Sequence, residues 1–180
     1  MPAIVDHGPA GGGEPIAVFE SGAILLYLAE KSGQFGGANL RGRVGVNQWW
    51  MWQMGGLGPM LGQNFHFSRY ALEQIPYALD RYHKETSRLF GVLDRRLEGR
   101  EFIVGSYSIA DMASYLWIVP HELLGQRPNE FPNLQRWFEA IRARPATARA
   151  YAKGTEIQSE QAPLTDEERR ILFGQTAPAD

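Results

Sequence analysis

Apolar and polar positions are most sharply sorted between Ile16 and Lys31. Ile16-Ala17-Val18-Phe19 is short, rich in β-branched and aromatic residues and entered through Pro15, which predicts a strand. Glu20-Ser21 interrupts it, and from Ala23 to Ala29 every residue is apolar, tyrosine included. A helix without a polar face belongs under cover on more than one side. Ser21 is placed to act as its N-cap and Gly33 as a left-handed C-cap. The polar pair Glu20-Ser21 therefore falls where a strand hands over to a helix, beside backbone N–H groups without intrahelical partners. Orphan N–H groups and the helix dipole together favour an anion at such a place. The local pattern leaves two readings open: a capped helix with a solvated Glu20, or a carboxylate-binding junction.

Upstream, Ala3 to Val5 reads as a strand, and Asp6 to Pro15, with four Gly and two Pro, as a loop. The two strands predict an antiparallel hairpin with a long connection. A lone hairpin is marginal in water, so this small layer is expected to be covered by a further upstream segment or by another molecule. Gly11-Gly12-Gly13 lacks the Lys-Ser/Thr and the following helix of a phosphate cradle and reads as linker.

Gly36 to Arg41 also reads as linker, and from Gly42 onward the pattern is helical. Arg43 to about Ser68 carries Trp49, Trp50, Met51, Trp52, Met54, Leu57, Met60 and Leu61, broken by Gly55-Gly56-Leu57-Gly58-Pro59. Glycine costs a helix interior about 1 kcal/mol and proline about 3. The helix is therefore expected to kink near Pro59, with something approaching its backbone closely there. No strand leads into these glycines, which excludes a dinucleotide fingerprint. The Trp and Met density suits core, a dimer surface or, in part, a ligand lining. Ile75 to Glu98 predicts a helix with Pro76 in its first turn and an apolar stripe of Ala78, Leu79, Tyr82, Leu89, Leu93 and Leu97. Arg81 lies one step off that stripe, as a solvated flank residue or a ligand contact. Ser108 and Asp111 form a capping box, with Tyr107 and Met112 spaced as a hydrophobic staple; both polar residues read as folding residues. Phe131 to Ile141 and Arg144 to Thr147 add helical segments. Thr165 and Glu168 open a short surface helix to Phe173 within a polar tail.

Composition narrows the chemistry. A net charge of −2 and an isoelectric point near 6.1 lack the basic footprint of a nucleic-acid binder. No apolar run approaches the ~18 residues of a membrane span, and the N-terminus has no signal-peptide pattern, so the expected location is the cytoplasm. The chain has no cysteine, so any sulfur chemistry must come from a ligand thiol. His7, His66, His83 and His121 show no ligand spacing, and no metal is expected.

Pro2-Ala3-Ile4-Val5-Asp6 and the stretch from Phe19 to Glu30 closely resemble the second half of the thioredoxin-like domain of glutathione transferases. Gly55 to Asn64 and Ile75 to Tyr82 resemble one subgroup, the bacterial nu-class enzymes. The resemblance runs from Pro2 to about Lys153. It implies an α+β, mostly α fold: the C-terminal half of a thioredoxin-like domain (1–36), an all-helical domain (41–157) and a polar tail (158–180). It implies that the residue before a cis-proline pairs by main chain with the cysteinyl part of glutathione; here these are Met1 and Pro2. It also implies that Glu20 and Ser21 hold the ammonium and α-carboxylate of the γ-glutamyl end, and that Arg81 reaches a glutathione carboxylate. The residue that contacts the glutathione sulfur belongs, in this family, to an upstream β-α-β unit, so no catalytic residue is assigned here. The implied activity is that of a glutathione-dependent transferase and disulfide-bond oxidoreductase. Its partners would be a small electrophile, peroxide or disulfide and a second copy of the chain, without nucleic acid or membrane. The alternative is a non-catalytic glutathione-binding or scaffold protein.

Overall fold

The computed structural model describes residues 2–157 and 165–174. Strand β1 (Ala3–Asp6) pairs antiparallel with β2 (Ile16–Phe19), Ala3 lying opposite Phe19 and Asp6 opposite Ile16. The chain then turns directly into α1 (Ser21–Ser32). Gly33 ends that helix in the left-handed region at φ 65°, and its N–H reaches back to the carbonyls of Ala29 and Glu30, the C-cap expected of a glycine. At the other end the structure corrects the sequence expectation. Ser21 is the first helical residue, and Glu20 occupies the cap position.

Ala29 is buried against Val46 and Ile109, with Leu25, Leu26, Trp50 and Met112 closing around them, so one face of α1 is seated on the helices that follow. The strands are not covered in this way: Val5 is 54% exposed and Phe19 64%.

Helix α2 (Leu40–Trp52) begins two residues ahead of the expected Gly42, because Asn39 caps it by accepting the Gly42 N–H at 2.9 Å. The expected disturbance near Pro59 takes the form of two widened π-helical turns, Gln53–Leu57 and His66–Tyr70, on either side of α3 (Gly58–Phe65). Close approach to the backbone occurs at Gly58, where a Cβ would stand 2.9 Å from Trp117 Nε1. At Gly55 and Gly56 no such neighbour lies within 4 Å.

Helix α4 (Pro76–Arg96) packs on α3, α5 (Ile109–Ile118) on α2, and α6 (Pro132–Arg142) completes the core. Leu57, Leu61, Phe90, Leu93, Ile118 and Trp137 are fully buried among these helices. Asp111 sits inside, accepting from Ile103 N–H (2.9 Å), Ser108 N–H (3.0 Å), Ser108 Oγ–H (2.9 Å) and Trp137 Nε1–H (2.8 Å). Burial pushes its carboxyl above the ordinary value, and these donors pull part of the way back. The pairing of Ser108 with Asp111 expected from the sequence is thus present, and it also holds the 103 loop and α6. Tyr107 packs edge-on to Phe35 and Phe102.

The chain divides into two compact units, Met1–Ile141 and Arg142–Asp180. The second contains α7 (Pro145–Ile157) and α8 (Asp166–Phe173). Thr165 N–H donates to Glu168 Oε2 at 2.8 Å and Glu168 N–H to Thr165 Oγ1 at 3.2 Å, the capping box read from the sequence. The remainder of the polar tail, 158–164 and 175–180, lies outside the described residues.

Candidate functional site

Glu20 is the most unusual residue of the first unit. Its backbone stands at φ 70°, ψ 124°, in a region that non-glycine residues seldom occupy and that costs on the order of 1–3 kcal/mol. The side chain makes no bond to the helix it precedes. Helical bonding begins only with Ile24 N–H to the Glu20 carbonyl, at 2.9 Å. The N–H groups of Ser21, Gly22 and Ala23 are therefore left without a helical acceptor, and Ser21 is exposed beside them. A carboxylate, a hydroxyl and N–H groups without helical acceptors share one end of α1, and no group among the described residues is bonded to them.

Packing holds this end in place. Gly22 is buried, and a Cβ there would stand 2.9 Å from the Trp50 ring and 3.0 Å from the Met54 sulfur. A larger residue would require the Trp50 and Met54 side chains to shift. At the far end of the hairpin, Asp6 accepts from Tyr27 Oη at 2.6 Å and pairs with the Lys31 ammonium, which also donates to the Gly8 carbonyl. Lys31, Tyr27 and the Gly8 N–H hold the Asp6 carboxyl down at about 2, from an ordinary 3.8. This tie joins β1 and its loop to α1. Its signal in the sequence is Tyr27 and Lys31 at helical i,i+4 spacing, which places both on one face of α1.

The strand register carries Pro2 to the same end of the hairpin as Glu20, since Ala3 lies opposite Phe19. Pro2 is exposed there. Met1, and with it the Met1–Pro2 peptide bond, lies outside the described residues. Pro2, Glu20 and Ser21 are thus brought together. Arg81 is not brought to them: it is exposed on α4, whose main packing partner is α3, whereas α1 packs on the strands and α5. The neighbouring Glu85 carboxyl is lowered by its bond to Arg88, with a smaller contribution from the Arg81 charge.

Among the described residues no group of three or more His, Asp or Glu is placed to hold a metal ion. No helix of the described residues is long and apolar enough to cross a membrane.

Comparison with known proteins bears on the family of the chain. Residues 71–145 match the family described as glutathione S-transferase, C-terminal domain. The disulfide-bond oxidoreductase YfcG of Escherichia coli is 53% identical over 156 residues, a match covering 85% of this chain and 72% of YfcG. A second relative, the disulfide-bond oxidoreductase YghU of the same organism, is 38% identical; the match covers 93% of this chain and 58% of YghU. A glutathione transferase from Burkholderia graminis, solved with two glutathione molecules bound per subunit, superposes with a TM-score of 0.78 at 43% identity, covering 89% of this chain and 68% of that one. With identity this high over most of both chains, and a fold that superposes on a solved glutathione transferase, the chain belongs to the glutathione S-transferase family.

Proposed function

We propose that this protein is a glutathione-dependent disulfide-bond oxidoreductase with transferase capacity, and that it grips the γ-glutamyl end of glutathione at the start of α1. The observation that carries this reading is Glu20: a strained residue whose carboxylate caps nothing, set beside the unclaimed N–H groups of Ser21 to Ala23. A zwitterionic amino-acid head suits that junction. The Glu20 carboxylate complements the ammonium, and the Ser21 hydroxyl and N–H complement the α-carboxylate. Pro2 at the same end of the hairpin, and Met1 before it, are assigned to main-chain pairing with the cysteinyl part. Arg81 is assigned to a second glutathione carboxylate, a role its planar fork suits.

The named activity of YfcG supports the reaction class, and the bound glutathione in the Burkholderia enzyme supports the ligand. The chain has no cysteine, so glutathione supplies the thiol. Two glutathione thiols give up their protons and two electrons, forming glutathione disulfide, while a substrate disulfide becomes two thiols. The protein's part is to orient the peptide and exclude alternative geometries. We assign residues 1–36 to the glutathione-binding domain, 41–157 to the helical domain and 158–180 to a tail. A homodimer in the cytoplasm, acting on small disulfides, peroxides or electrophiles and not on nucleic acid, completes the proposal. Leu40, Val44 and Met51, exposed along α2 at i, i+4 and i+11, supply an apolar stripe for dimer contact.

The test is calorimetric titration of glutathione against the parent and against Glu20→Ala and Ser21→Ala, joined to a glutathione-coupled assay with a small dialkyl disulfide. Each substitution is expected to weaken binding by about tenfold or more, the scale of one lost charge-assisted bond. Unchanged binding in both variants would remove the junction from the site. Binding without turnover would favour the scaffold reading over the enzyme.

A further inference from the structure

Among the described residues, two that are not glycine have a positive φ, and they stand at opposite ends of α1. Glu20 precedes the helix, and Phe35, at φ 65°, lies in the short connection 33–39 that leads on to α2. We propose that Phe35 is a strained latch, and that its release lets the hairpin and α1 open as one unit while the helices from α2 onward stay folded.

A non-glycine residue keeps this conformation only where its surroundings over-determine it. Two contacts do so at Phe35, and both come from far along the chain. Its carbonyl accepts the Ile109 N–H at 3.1 Å. Its ring stands edge-on to Tyr107, with centroids 5.9 Å apart and planes at 84°. The Ile109 N–H is one of the donors at the start of α5 that has no acceptor within its own helix, so the connection supplies what the helix lacks. Ile109 is also buried in one cluster with Ala29 of α1. Gly36 closes over the same place, since a Cβ there would stand 3.6 Å from Ala29 Cβ. Hydrogen bond, ring contact and the seat of α1 thus meet at the entry to α5.

The residues on either side of Phe35 are built for turning. Gly33 and Gly37 are left-handed as well, at φ 65° and 93°. They differ in how they are held. A Cβ on Gly33 would meet nothing within 4 Å, whereas one on Gly37 would stand 2.5 Å from the Arg43 nitrogen, at the capped start of α2. The connection is therefore anchored on the α2 side and free on the α1 side. When Tyr107 and Ile109 let go, Phe35 returns to a negative φ, redirects the chain and carries α1 away from its seat. Contacts and conformation change together, which gives two states in place of gradual yielding.

The unit that opens is separable from the rest. The larger buried core runs from Leu57 to Ile141 and draws no described residue from the hairpin or α1. Val5 and Phe19 on the strands are exposed, and α1 is seated through the small cluster of Ala29, Val46 and Ile109. A unit with few buried contacts opens more readily than the whole domain unfolds. This inference does not rest on glutathione binding.

The test is amide hydrogen exchange, followed by NMR in low urea, on the 180-residue protein and on Phe35→Ala and Phe35→Gly. Phe35 is 38% exposed, and both changes leave the larger core untouched. In the parent, the amides of α1 are expected to exchange with a weaker urea dependence than those of α4 and α6, the mark of a partial opening. Phe35→Ala, which keeps the strain and loses the ring, is expected to speed exchange in α1 about tenfold with α4 and α6 unchanged. Phe35→Gly loses the same ring without the strain, and its α1 amides are expected to exchange more slowly than those of Phe35→Ala. Unchanged exchange in α1, equal acceleration of α1 and α4, or exchange in Phe35→Gly no slower than in Phe35→Ala would each overturn the proposal.

Discussion

Asp111 and Glu20 are both carboxylates at the N-terminal end of a helix, and the molecule treats them in opposite ways. Asp111, inside the start of α5, is buried and receives four hydrogen bonds from three residues. Glu20, one position ahead of α1, is exposed, strained and receives none that caps the helix. The first arrangement closes a helix end with the protein's own groups and uses it to gather a loop and α6. The second leaves the end open. A helix terminus spent on folding has no donors left for a ligand, and one kept for a ligand must be held in shape from behind, here by Trp50 and Met54 against Gly22.

The sharpest way to break this contrast is Asp111→Ala. It leaves the Ile103, Ser108 and Trp137 donors unmet in the core, and the expected loss is about 4 kcal/mol of unfolding free energy, read by urea denaturation. A smaller loss, about 1–2 kcal/mol, is expected from Asp94→Ala. Asp94 Oδ1 accepts the N–H groups of Asn133 and Leu134 at 2.8 and 3.0 Å and so caps α6 from 39 residues away, again a closed helix end. At the open end the sign reverses. Glu20→Gly relieves a positive φ, and a gain of about 1 kcal/mol is expected in the same denaturation, together with weaker glutathione binding by calorimetry. Stability rising as affinity falls would mark Glu20 as a residue kept for binding.

The smallest effect is expected at Asp6. Its folded pKa of about 2 lies below the ordinary 3.8, so its contribution is present above about pH 4 and is lost as pH falls toward 2. Asp6→Asn should remove that part of the acid dependence, seen as faster amide exchange in β1 of the variant than of the parent above pH 4, converging as the pH approaches 2.

What could be read from the sequence was what local chemistry decides. Both strands, the Gly33 cap and both capping boxes follow from residues within a few positions of one another, and each is present. The Glu20-Ser21 pair was visible as a junction, but its conformation was not. Ser21 is the better N-cap by residue type, and only the path of the chain from β2 into α1 puts Glu20 in that position with a positive φ. The glycines at 55–58 announced a disturbed helix without saying that it would widen into π turns, because glycine permits many distortions and selects none. Asp94 gave no signal at all, since its partners are set by how α4 and α6 pack. Arg81 illustrates the same limit: its position beside the apolar stripe was legible, while the surface it looks toward depends on neighbours the local pattern does not name.

The widened turn at Gln53–Leu57 has one further consequence. Residues on an α-helix advance by about 100° each, so a π turn, which accommodates an extra residue, sets the angular phase between the segments it joins. Deleting Gly55 would restore regular winding and rotate α2 by about that angle relative to α3. The face bearing Trp50 and Met54 would swing away from Gly22 while the face bearing Leu57 and Leu61 stayed in the core. The unclaimed donors at the start of α1 are thus timed by a single inserted residue, much as the offset of a cam sets when a valve is held open.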